Sequence, residues 1–259
     1  MRTVELSDHP GELLNAATRQ REAAGRAKLS AHERQLRKLR RQRDDARHHH
    51  KWWTYLRLAF AISRHKRSRP LVISVPTDQE EMLRAGIAGE RLIARELGAA
   101  LDDEWTLLHG YRNGRGEIDH LLLGPTGLFA IEVKNINATV QVNGDTWVAD
   151  KYDRYGNHVE QYTVADRRGR SPSQQLNQSA NALASFLHQR GQPVPVRRVV
   201  VLSHPRARVG KHANLTVSVA VTAEEILRLV RDSPDSFGAD KRKKILALIE
   251  RDHAFHERH

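Results

Sequence analysis

The sequence contains no cysteine, which excludes disulfides and thiolate zinc sites and is compatible with a reducing cytoplasm. It also has little that could enter a membrane. The opening stretch, MRTVELSDHPGELL, lacks the apolar core of a secretory signal. The longest apolar run outside one hairpin, WWTYLRLAFAI at 52–62, contains Arg57 and is well short of the ~20 residues a spanning helix needs. A soluble or peripheral cytoplasmic chain is expected. No internal repeat is visible.

Positive charge is abundant but confined to one place. Of 43 Lys+Arg and 31 Asp+Glu in the chain, residues 19–69 hold 17 basic and 4 acidic side chains, and everything else holds 26 against 27. The basicity therefore belongs to an N-terminal arm, expected at 1–76, and the domain expected at 77–259 is close to neutral. From Arg19 to Arg47 there is no proline, one glycine and a dense run of helix formers, which predicts a long exposed helix. Leu29, Leu36 and Leu39 hint at a heptad, but Arg43 takes the next apolar slot. A shorter helix is expected around Trp52, Trp53, Leu56 and Phe60, then an extended boundary from Arg69 to Pro76. Residues 1–18 give little signal.

Thr77 or Asp78 can cap a helix running to about Leu101. Strands are expected at 105–109, 117–123 and 127–134, with a meander at 138–149 and a polar loop at 150–170. Ser171-Pro172-Ser173-Gln174 has the form of a helix start, with Ser as cap, Pro in the first position and Gln closing a capping box. Buried strands at 197–203 and 215–221 and helices near 222–232 and 239–256 complete an α/β mixed sheet with helices on both faces.

The richest segment is GEIDHLLLGPTGLFAIEVKN, Gly116 to Asn135. Two apolar runs flank Gly-Pro-Thr-Gly, so it reads as a hairpin. Alternation puts Glu132 and Lys134 on one face and Ile131 and Val133 on the other, and folding back brings Asp119 within reach of Glu132. Two carboxylates and an ammonium on an apolar sheet are costly unless they pair or bind something; a divalent cation would use all three.

Asp119 followed by Glu132-Val133-Lys134 resembles the PD-(D/E)xK phosphodiesterase signature. The words AGIAGER, LLHG, GEIDHLLLGPTGLFAIEVKN and SPSQQ resemble the nuclease-related (NERD) domain of that superfamily over roughly residues 82–190. The resemblance implies a restriction-endonuclease-like fold and metal-dependent phosphodiester hydrolysis, with Mg²⁺ or Mn²⁺ suited to hard oxygen ligands and no thiol.

Each candidate has a plainer reading. Asp119 is a metal ligand or a strand-end carboxylate paired with an arginine; Glu132 is a ligand or the partner of Lys134. The resemblance gives Lys134 the orienting of the attacking water or the offsetting of transition-state charge. Glu90 lies on the helical stripe of Leu83, Ile87, Ala94, Leu97 and Leu101, so it completes the metal site or pairs with a buried cation, Lys134 above all. Gly86 and Gly89 beside it permit close approach. Gln175 matches a family glutamine that follows Asn-Pro, here Ser171-Pro172, and either positions substrate or water or is a surface amide. Glu117 is an outer carboxylate or a substitute ligand. His120 should face away from Asp119, His109 could line the cleft, and His48, His49 and His50 form a solvated cluster.

The arm has three readings. Arg37, Lys38, Arg40, Arg41, Arg43 and Lys51 with Trp52 and Trp53 suit phosphate contacts and base stacking, DNA being the expected partner. The same composition suits an anionic membrane surface. The aromatic patch could also pack on the core or a second subunit. A catalytically dead nucleic-acid-binding module and a membrane-surface adaptor remain the alternatives to a nuclease.

Overall fold

A computed structural model describes residues 1–70 and 75–258; most of the extended boundary expected between Arg69 and Pro76 lies outside the described residues. The chain divides into two compact units, one of residues 1–11 together with 84 onward, the other of 12–83. The divisions thus fall at 11/12 and 83/84 rather than at 76/77. The first residues, silent in the sequence, begin with a strand, β1 (Arg2–Glu5).

In the larger unit, β2 (Thr106–Asn113), β3 (Gly116–Gly124) and β4 (Gly127–Lys134) form an antiparallel meander. β1 adds parallel to β2 at one edge. On the other side β8 (Val196–Leu202) runs parallel to β4, and β10 (Ser218–Ala220) parallel to β8. The sheet order is β1-β2-β3-β4-β8-β10. A second sheet, not expected as a separate layer, has the order β7-β6-β5-β9. It comprises β5 (Thr139–Asn143), β6 (Thr146–Tyr152), β7 (His158–Thr163) and β9 (Arg208–Ala213). The expected loop at 150–170 therefore contains the end of β6 and all of β7. All six β7 residues are exposed, so backbone pairing forms this strand without an apolar pattern.

Alternation along β4 assigns its two faces. Leu128 and Ala130 join a core with Leu121, Val200, Trp147, and Leu176 and Leu183 of α4 (Pro172–Gln189). Phe129, Ile131 and Val133 join the opposite core with Leu122, Val199, Ile226 of α5 (Ala223–Arg231), and Ile93 and Leu97 of α3 (Asp78–Ala100). Each Val, Leu, Ile or Phe among them contributes about 1.5–3 kcal/mol on burial. Glu132 is consequently on the α4 side. That helix starts as its sequence predicts, with Ser171 and Gln174 bonding each other's backbone.

The N-terminal segment is fixed at three points. Leu6 N–H donates to His109 O at 3.0 Å. His253, on α6 (Ala239–Glu257), accepts from Arg112 N–H through Nδ1 at 3.1 Å and donates through Nε2 to Leu6 O at 3.1 Å. Gly110 has φ +67°, and a Cβ there would stand 2.3 Å from Ser7 O, so only glycine lets the segment cross β2.

In the smaller unit, α1 (His9–His48) and α2 (Trp52–Arg67) form an antiparallel hairpin around the turn at His50, which has φ 56°. The stacked rings of His32 and His65, 3.9 Å apart, join its helices, and Ala46 and Ile62 are buried. Thr77 caps α3 in a box with Glu80. Glu80 also accepts from Thr18 Oγ1 at 2.7 Å and Arg21 Nε at 2.9 Å. The Thr77 amide, then the Thr18 hydroxyl and the Arg21 guanidinium, hold the Glu80 carboxyl at about 2, below its ordinary 4.5. A depressed folded value means stability that is present above pH 4.5 and lost as pH falls towards 2. The helical circular-dichroism melt should therefore move to lower temperature across that window in the wild type, and less steeply in Glu80→Gln.

Candidate active site

β3, β4 and α3 bring the acidic candidates together because the hairpin register leaves Asp119 and Glu132 just beyond the last paired residues, His120 and Ile131. There the strands part. Asp119 Oδ2 reaches across to accept from Val133 N–H at 2.6 Å, which clips the carboxylate beside Glu132. Asp119 has no arginine partner among the described residues, contrary to the plainer reading of that residue. Glu132 is buried, and Lys134 Nζ lies 2.5 Å from its Oε1. Gln175, in the first turn of α4, stands 3.4 Å from the same ammonium through Oε1, while its Nε2 donates to Arg170 O at 2.9 Å.

Glu90 arrives from α3. Its helix comes close to the sheet because residue 89 is glycine: a Cβ there would lie 2.2 Å from Ser203 Oγ. Gly86, expected to share that role, faces open space among the described residues. Glu90 forms no ion pair with Lys134, whose ammonium is turned to Glu132. Glu90, Glu117 and Asp119 line a cavity of about 170 Å³ together with Ser7, Asp8 and His109. Ser7 and Asp8 come from the segment that carried no sequence signal.

The electrostatics follow from four carboxylates and one lysine in a confined space. Burial, then Glu132 and Glu90, push the Asp119 carboxyl well above its ordinary range, against Lys134 and the Val133 amide. Burial and the charges of Glu117 and Glu132 raise Glu90 to about 7. Glu117 is raised by burial, with His9, Arg112 and a hydrogen bond from Ser7 acting the other way. Burial works to lower Lys134, but Glu132, Asp119 and Glu90 outweigh it and keep the ammonium charged. Glu132 raises Asp119, Glu90 and Glu117, Glu90 raises Asp119, and Glu117 raises Glu90, so carboxylates that could ionise here outnumber the one ammonium that could balance them. Among the described residues no three His, Cys, Asp or Glu side chains already stand as a cation cage; Glu132 and Asp119 are turned to Lys134 and the Val133 amide instead.

His120 pairs with Ile131, on the opposite face of the sheet from Asp119, as alternation predicts. It is fully buried, lies 3.3 Å from Glu90 O through Nε2, and meets His109. Burial, reinforced by His109, lowers it to about 3. Hairpin counting could have found this pair, since β2 and β3 place His109 opposite His120.

The basic candidates belong to the other unit. Arg37, Lys38, Arg40 and Arg41 are exposed on α1, Lys51 is exposed in the turn, and Trp52 and Trp53 are 61% and 88% exposed on α2. Arg43 is held by Asp44 at 2.6 Å.

The family model of the nuclease-related domain matches residues 85–203, which takes in α3 from just before Glu90, the Asp119–Lys134 hairpin, Gln175 and β8. The matched span omits β1 and the basic helical unit. No match was found among curated proteins or solved structures. Domains of this superfamily usually use divalent metals. Residues 85–203 thus match the nuclease-related (NERD) domain, which belongs to the PD-(D/E)xK-like nuclease superfamily.

Proposed function

We propose that the protein hydrolyses phosphodiester bonds with a divalent cation, Mg²⁺ or Mn²⁺, and that DNA is its substrate. The convergence of Asp119, Glu132 and Lys134 from one hairpin with Glu90 from α3 carries this reading. The donor set fits the cation: it is all oxygen, and its mutual repulsion is what a dication relieves. Asp119, Glu132 and Glu90 would hold it, and when bound it supplies polarisation of the phosphate and a more acidic water. Lys134 keeps its charge in this setting and offsets the negative charge that grows on the phosphate. Gln175, anchored on Arg170 O, fixes the direction of that ammonium.

Glu132→Ala and Lys134→Ala should each lower metal-dependent DNA cleavage roughly 10²-fold or more while leaving the thermal melt cooperative. Equal cleavage by wild type and both variants would reject the assignment.

The nuclease-related unit is near neutral, so affinity for a polyanion is assigned to the helical hairpin. Arg37, Lys38, Arg40, Arg41 and Lys51 would contact phosphates, Arg43 would add to them on leaving Asp44, and Trp52 and Trp53 would stack on bases. Charge removal tests this better than truncation, because β1 at the chain's start belongs to the sheet. Replacing Arg37, Lys38, Arg40 and Arg41 by Ala should reduce the slope of log affinity against log salt by about 3–4. It should also raise KM with kcat preserved. An unchanged salt slope would remove the hairpin from binding.

One observation favours a second partner for the same hairpin. Trp52, Trp53, Leu56 and Phe60 are all exposed on α2, a helix with no acidic residue, which is the make-up of an interfacial helix on anionic lipid. Among the described residues no helix is long and apolar enough to cross a membrane. Co-flotation with anionic but not neutral vesicles, lost in Trp53→Ala with Phe60→Ala, would establish it; absence of flotation would dismiss it.

A further inference from the structure

His109 lines the cleft but has no part in the reaction as described so far. Its ring stands edge-on to that of His120, centroids 4.6 Å apart at 89°, with the two Nδ1 atoms 2.9 Å apart. The bonds around the pair assign the protons. His120 Nε2 is 3.3 Å from Glu90 O, and a carbonyl only accepts, so His120 carries hydrogen on Nε2. The Asp119 carbonyl also neighbours the ring, but the contact with hydrogen-bond geometry is that of Nε2 with Glu90 O; with the ring fully buried and bonded by no carboxylate, it is neutral and its Nδ1 is an acceptor. The hydrogen between the rings must then sit on His109 Nδ1. His109 is itself half-buried, and burial lowers it against the weak opposing pull of Glu5. Its Nε2 is left as a lone pair with no hydrogen-bond partner among the described residues, in a ring that lines the same cavity as Glu90, Glu117 and Asp119. The cavity has room for several waters.

We propose that His109 is a further catalytic residue, whose Nε2 accepts a hydrogen bond from the attacking water and then its proton. This rests on the phosphodiesterase reading above. As the water oxygen bonds to phosphorus, its proton passes to Nε2. The bond from phosphorus to the leaving sugar oxygen breaks, the electron pair stays on that oxygen, and solvent protonates it. His120 acts through His109 as a positioning residue: it takes up Nδ1 and so fixes which nitrogen is bare. The same ring ties β3 to the backbone of Glu90.

His109→Asn separates the two roles, because the Asn amide can still donate where Nδ1 stands but puts nothing at Nε2. With DNA and Mg²⁺, kcat of H109N should fall roughly 10²–10⁴-fold at unchanged KM. A purely structural histidine would be rescued by asparagine, so an undiminished kcat beside an active wild type overturns the proposal and leaves the nuclease reading intact. A wild type that cleaves no DNA with any divalent cation removes that reading, and this one with it. A second measurement needs neither metal nor activity: ¹⁵N resonances of the imidazoles in the wild type at neutral pH. Hydrogen on Nδ1 of His109 and on Nε2 of His120 is expected; hydrogen on His109 Nε2 overturns the proposal.

Discussion

Charge held where water is scarce is the constraint on which the rest of this protein depends. Glu132 is flanked by Ile131 and Val133 and backed by a parallel strand of valines. An ion in such a place loses several kcal/mol of hydration, by order of magnitude, so its neighbours have to compensate. Lys134 does so directly, Asp119 is held by a backbone amide, and Gln175 braces the lysine from another helix. The compensation is partial, since three further carboxylates share one ammonium. Incomplete neutralisation sets this cluster apart from a plain buried ion pair, and a cation would relieve it.

The remainder of the larger unit serves that placement. The period of two in β4 sends apolar side chains into both cores and leaves Glu132 and Lys134 on the α4 side. Gly89 lets α3 come down on the end of β8. Gly110 lets the N-terminal segment cross β2 and bring Ser7 and Asp8 to the cavity. The basic hairpin is an insertion between β1 and the nuclease-related domain, not a free tail. Its positive charge is thus covalently tied at both ends to the larger unit.

Much of this was legible because the signals were local. The Gly-Pro-Thr-Gly turn between two apolar runs gave β3 and β4, and with them the meeting of Asp119, Glu132 and Lys134. Ser171 to Gln174 gave the start of α4 because a capping box is written within four residues. Glu90 could be aimed at the sheet from its place on a helical stripe. What was illegible depends on distant backbone pairing. β1, β7 and β9 are exposed edge or outer strands whose side chains make no apolar pattern, so only the strand across from each reveals it. The same holds for His109: residue type marked it, but its task depends on a ring eleven residues away and a carbonyl on α3.

The parallel pairing of β1 with β2 has a consequence for how the protein is made. On a ribosome, the first strand emerges about a hundred residues before the edge it must join, and closing so long a loop is slow unless the intervening chain compacts. His253 comes later still, near the carboxyl end of α6. The carbonyl of Leu6, next to the cleft-lining Ser7, therefore gains its partner on α6 only once the chain has grown by 247 residues.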